Sequence, residues 1–232
     1  MNFRILIYVS AALVMMTFLP VPSSATETGD VDAPDLGAFR LLNGKAVNPF
    51  FDLLMPIVTD FRKWRIVLVL VWVALMIFGK AKGRWAALMM IPLVAATDQL
   101  CASLIKPLVG RMRPCEVLGG VHLWHGIEGW ITTPMEVVRS YKSSFSFPSN
   151  HAANMTGAML FLGLVYRKSL IYLLVIAFAV SYSRIYIGVH WPLDVLAGMI
   201  IGASLAFLAW TAFKWIYRPA RKKQVETPGE KQ

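Results

Sequence analysis

The chain has 232 residues, 57% of them hydrophobic, with a mean hydropathy of +0.58 and a formal net charge of +10. A soluble domain of this length is far more polar. With no soluble basic domain to meet a phosphate backbone, the positive charge does not indicate a nucleic-acid partner.

Apolar stretches near the ~20 residues that cross a bilayer fall at about residues 5–20, 64–79, 86–106, 152–166, 170–188 and 194–216. Helices satisfy their own backbone groups in lipid and an open sheet does not. The fold class is therefore all-α: a polytopic membrane helical bundle of about six transmembrane helices in one domain, without internal repeats. The first stretch has two readings. Arg4, an apolar run through Leu19, then Pro20, Pro22 and Ser23-Ser24-Ala25 suit either a cleaved signal over residues 1–25, leaving five spans, or a retained first helix. Both put the following residues on the outer side. The main domain is read as residues 26–217, and the basic stretch 218–232 as a disordered cytoplasmic tail.

Charge sets the orientation. Lys80, Lys82 and Arg84 occupy one short loop, Arg167 and Lys168 another, and Lys214, Arg218, Arg221, Lys222 and Lys223 the C-terminal end. The positive-inside bias places all three in the cytoplasm. Residues 24–63, the 107–150 loop and the 189–193 turn then face outward. Arg62, Lys63 and Arg65, at an outward helix end, run against this pattern.

Three outward segments carry chemistry. Lys106 ends the third apolar run and Arg113-Pro114 follows in a turn. An arginine fixed in a turn suits bidentate contact with phosphate, whereas lysine acts as a point charge. Pro148-Ser149-Asn150-His151 opens the fourth long helix, where backbone N–H groups and the helix dipole favour an anion. Ser183-Arg184 lies near the end of the fifth, and His190 precedes Asp194 by four residues. A carboxylate on one imidazole nitrogen fixes the tautomer and leaves the other as a nucleophile. Taken singly, each segment also reads as a snorkelling cation, a helix cap or an interfacial ion pair. Together they describe a site for an anionic lipid headgroup.

These segments resemble the three signature motifs of the type 2 phosphatidic acid phosphatase superfamily: Lys-x6-Arg-Pro, Pro-Ser-Gly-His, and a Ser-Arg stretch leading to histidine with a trailing aspartate. The resemblance extends over about residues 36–212. It implies a membrane lipid phosphatase with His190 as nucleophile and Asp194 orienting it. His151 would be the general acid and later the base. Lys106, Arg113 and Arg184 would hold the phosphate oxygens, with Ser149 and Asn150 completing the cradle. Three cations supply the charge compensation that phosphoryl transfer requires, so neither a metal nor a cofactor is implied. One anchor departs: Asn150 stands where the motif has glycine. Asparagine tolerates the left-handed region, and its side chain is placed to reach a phosphate.

The resemblance implies a bacterial cytoplasmic-membrane enzyme working at the periplasmic face. Its partners are the bilayer and a lipid substrate. By the near isostery of Asn150 with the aspartate of some relatives, that substrate is undecaprenyl diphosphate. Lipid A 1-phosphate, phosphatidylglycerol phosphate and phosphatidic acid are alternatives. A transporter or lipid-binding protein that keeps the site as a receptor is the reading from another class. An intact His190, His151 and Asp194 weigh against it.

Other residues invite a structural reading. Asp98 and Gln99 lie inside an apolar run, where a carboxylate needs a partner. His122 and His125 lack a full metal ligand set. Cys101 and Cys115 are read as unrelated thiols, with pairing as the alternative. Gly198 and Gly202 permit close helix contact. Trp124, Trp130, Tyr141, Phe145 and Phe147 suit an interfacial belt or ordinary loop packing.

Overall fold

The computed structural model describes residues 33–126, 128–135 and 144–225, with side chains through Tyr217. Residues 1–25, Tyr141 and the end of the predicted tail lie outside the described residues. The chain opens with α1 (Ala33–Arg40), extended by a π turn over Leu41–Lys45. Helix α2 (Pro49–Thr59) follows; Asn48 caps it by accepting the Phe51 N–H at 3.0 Å, and Pro49 suits its first turn. Asp60 caps α3 (Phe61–Phe78) in the same way through Arg62. Helix α4 (Lys80–Gln99) passes through a π turn at Leu100–Ile105 into Lys106–Val109. The short α5 (Pro114–Val117) precedes a hairpin of β1 (His122–Trp124) and β2 (Trp130–Thr132), paired antiparallel with Leu123 opposite Ile131. Helices α6 (Asn150–Val165), α7 (Leu170–Tyr186) and α8 (Pro192–Val225) complete it.

The predicted bundle is present, and five described helices match the predicted apolar stretches. Segments Lys80–Val117, Arg167–Tyr186 and Pro192–Tyr217 are long and apolar enough to cross a membrane. Arg62, Lys63 and Arg65 raise the charge of α3, and α6 has only 16 residues. Helix α8 runs on to Val225, past the predicted tail boundary at Arg218. Ala220, Arg221, Lys222, Lys223 and Gln224 are good helix formers, and cations suit a helix C-terminus.

Helix α6 is the centre of the bundle: eleven of its sixteen residues are buried. It packs on α4, α7 and α8. Its contact with α8 depends on glycine. A Cβ on Gly202 would lie 2.2 Å from the Ala153 carbonyl oxygen, and one on Gly198 2.5 Å from that of Ser149. The two glycines thus serve internal packing. Helix α3 buries no residue and lies at the periphery.

The three basic segments share one end. Lys82 sits 4.9 Å from the Tyr166 ring, and Arg167 and Lys214 both lie over the Trp210 ring. Lys106, Ser149 and Asp194 mark the opposite ends of α4, α6 and α8. At that end an aromatic cluster joins α2, the hairpin and α7. His122 stacks on Trp130 with ring centroids 4.0 Å apart, and its Nε2 lies 2.8 Å from Asp52 Oδ1. The Tyr186 hydroxyl donates to the same carboxylate at 2.8 Å. This ties down the loop residues read as structural. Cys101 and Cys115 are buried thiols in separate apolar clusters.

Candidate active site

The ends of α4, α6 and α8 bring the three segments together. Gly110, at φ 64°, accepts the left-handed conformation that ends α4 and turns the chain toward Arg113. Gly188, at φ 80°, makes the corresponding turn after α7, and any Cβ there would strike Val121 and the His122 carbonyl oxygen. His190 follows in that turn and is 2% exposed. Ser149 caps α6, accepting the Ala152 N–H at 3.4 Å, and its own N–H donates to the Asp194 carbonyl at 2.9 Å. The starts of α6 and α8 are thereby joined through the backbone.

The two nitrogens of His190 face different surroundings. Nδ1 lies 3.4 Å from Asp194 Oδ2. Nε2 lies 3.2 Å from Arg113 Nη1. Burial first, then the charges of Arg113, Arg184, Lys106 and His151, hold the imidazole well below its ordinary pKa. A neutral ring at pH 7 keeps a lone pair available on one nitrogen, which a nucleophile needs.

All three predicted cations are buried around this ring. Arg113 Nη1 also donates to the Val189 carbonyl at 2.7 Å, and its Nε to Ser144 at 2.9 Å. Lys106 Nζ donates to the carbonyls of Phe145 and Ser146 at 2.6 and 3.3 Å. Arg184 reaches Thr59 through Nη1, but its Nε is buried with no hydrogen-bond partner. A buried charged donor without an acceptor is costly. A phosphate oxygen would supply the acceptor. His151 is half-buried in the first turn of α6, near enough for its charge to act on His190.

Asn150 behaves differently from the sequence expectation. Its side-chain amide donates to Asp98 Oδ1 at 3.0 Å, across to α4. The amide nitrogen of Asn150 is thus engaged by Asp98, while its backbone stays at the helix start.

The surroundings of Asp194 were not legible beforehand. The carboxylate is fully buried. It accepts from Arg111 Nη1 at 2.7 Å, from the Trp191 N–H at 2.9 Å and from the Ser146 hydroxyl. Arg111 also bonds Asp35 Oδ2 at 2.5 Å, and Asp35 Oδ1 accepts the Leu193 N–H at 3.0 Å. The guanidinium lies 5.2 Å from the Trp191 ring, whose Nε1 donates to Met112. Arg111 stands inside the Lys106–Arg113 spacer, so a third basic residue there was its only signal. Asp35, Thr59 and Ser146 carried none.

This geometry is joined by a sequence match: residues 87–218 fit the model of the PAP2 superfamily. The chain belongs to that superfamily. A Bacteroides thetaiotaomicron lipid A 4'-phosphatase is 30% identical over 192 residues, covering 78% of this chain and 76% of the relative. An undecaprenyl-diphosphatase of Sulfolobus acidocaldarius is 40% identical over 77 residues, 33% of this chain and 37% of its own. The crystal structure of a transmembrane PAP2-type phosphatidylglycerolphosphate phosphatase from Bacillus subtilis superposes with a TM-score of 0.63 at 23% identity, covering 90% of this chain and 98% of that one. That likeness carries the fold. As a PAP2 protein the chain is a multi-pass membrane lipid phosphatase.

Proposed function

We propose that this PAP2 protein cleaves a lipid phosphate through a phosphohistidine on His190, at the periplasmic face of a bacterial cytoplasmic membrane. One observation carries the reading. His190 has one nitrogen against the buried Asp194 and the other beside Arg113, with an unsatisfied Arg184 donor in the same buried cluster. Nε2 attacks phosphorus as the bond to the lipid oxygen breaks, and His151 gives that oxygen its proton. Water then attacks the phosphohistidine, with His151 taking a proton, and phosphate leaves. Arg113, Arg184 and Lys106 neutralise the non-bridging oxygens. Ser149 and the start of α6 complete the cradle with backbone N–H groups. Asp35 and Arg111 hold Asp194 in place.

The substrate favoured is a phosphomonoester of lipid A type, because the lipid A 4'-phosphatase aligns over most of this chain. Undecaprenyl diphosphate is the second reading, supported by the 40% identity over a third of the chain. The outward orientation is supported by Lys82, Arg167 and Lys214, which gather at the end away from the site. The main domain is read as residues 26–217.

The test is phosphate release by purified protein in detergent with EDTA, on lipid A, undecaprenyl diphosphate, phosphatidylglycerol phosphate and phosphatidic acid. Turnover that drops about a thousandfold or more in His190→Ala supports the reading. Near-normal release in that variant removes His190 as nucleophile.

A further inference from the structure

Beside the phosphate cradle, at the α4–α6 contact, lies a polar cluster that the proposed chemistry does not use. Asp98 stands about two turns before Lys106 within an apolar helix. Its Oδ1 accepts from the side-chain amides of Asn150 at 3.0 Å and Asn154 at 3.3 Å. Asn150 and Asn154 are one turn apart on α6, so both face α4. Each spends its NH2 group on Asp98, and the Oδ1 of each is buried with no hydrogen-bond partner. All three side chains are half-buried, not sealed in the core.

The cluster is therefore an array of acceptors: one carboxylate and two amide oxygens lacking donors. In an apolar span such groups are costly unless donors arrive. No lysine or arginine is bonded to Asp98 among the described residues. Asn150 opens α6, Asn154 lies one turn further along it and Asp98 about two turns before Lys106, so the array runs from the cradle toward the middle of the bundle. It adjoins Ser149 and His151 directly in sequence.

Resting on the phosphatase reading, we infer that Asp98, Asn150 and Asn154 form a subsite for hydrogen-bond donors on the lipid side of the scissile phosphate. It takes lipid phosphomonoesters whose headgroup or proximal acyl linkage carries hydroxyl or amide N–H groups, as an acylated amino-sugar phosphate does. Phosphatidic acid offers no such donors beyond its phosphate. A polyprenyl diphosphate would present its second phosphate to Asp98, and like charge disfavours it. A site built around buried acceptors rejects a ligand that leaves them unpaired.

The experiment compares kcat/KM on lipid A with kcat/KM on dioleoyl phosphatidic acid in the same preparation, for wild type, Asp98→Asn and Asn154→Leu. Because the ratio is taken within one preparation, partial misfolding cancels. The expected result is a wild-type preference for lipid A and a ratio about tenfold lower in each variant. A ratio unchanged in both variants, whatever their absolute rates, overturns the subsite and leaves the phosphatase reading standing. Wild-type protein that releases phosphate only from undecaprenyl diphosphate or phosphatidylglycerol phosphate overturns the subsite alone; release from none of the four lipids overturns the phosphatase reading as well.

Discussion

Asp194 accepts four contacts, and each constrains what His190 can do. Arg111 shares its charge between Asp194 and Asp35, both fully buried. The trio carries one net negative charge beside three buried cations. Removing Arg111 leaves two buried carboxylates without their counter-ion, whereas Asp35→Asn keeps a shape that still accepts the Leu193 N–H. Arg111→Leu is therefore expected to cost about 3–5 kcal/mol of stability, read as early loss of folded protein on heating in detergent. Asp35→Asn should fold, lower kcat by about tenfold and leave KM nearly unchanged, and Asp35→Glu should restore part of the rate. A matching rise in KM with normal kcat would mean that Asp35 contributes to binding and not to the posture of Asp194. Lys106, Arg113, Ser149, Arg184, His190 and Asp194, which the fold brings together, stood out because charged and polar groups are scarce in an apolar chain. Arg111 was hidden by its neighbours: a basic residue between Lys106 and Arg113 adds nothing to a motif that counts only its ends. Asp35 and Thr59 reach the site by folding, from helices read only as outward segment.

At the level of elements, apolar length predicted five described helices to within a few residues, except that α4 starts six residues before the predicted span and α8 continues beyond its own. The membrane requirement is strong enough to override local detail. Helices α1 and α2 and the hairpin are short, polar-flanked and held by tertiary contacts, such as Asn43 donating to the carbonyls of His122 and Tyr186. Nothing local in the chain announces such contacts. The α6–α8 seam was legible as Gly198-x3-Gly202, and it does more than pack. Gly198 faces the Ser149 carbonyl, so an added methyl presses on the cap of α6, while Gly202 faces Ala153 one turn deeper. Gly202→Val should destabilise the bundle by about 1–3 kcal/mol or more. Gly198→Ala should lose activity out of proportion to its change in melting temperature. Equal losses of activity per degree in the two variants would show that Gly198 only packs.

On the scale of the whole molecule, charge is sorted by use. Lys82, Arg167 and Lys214 sit on aromatic rings at one end, while Lys106, Arg111, Arg113 and Arg184 are drawn in around His190 at the other. The central claim is covalent, so the most direct measurement is trapping. Protein mixed with a 32P-labelled lipid phosphate is quenched in alkaline SDS within one turnover, and the labelled peptide is mapped by mass spectrometry. The account predicts phosphate on the His190 imidazole, with label lost in His190→Ala. Label on another residue, or turnover with His190 unlabelled at every quench time, would contradict it.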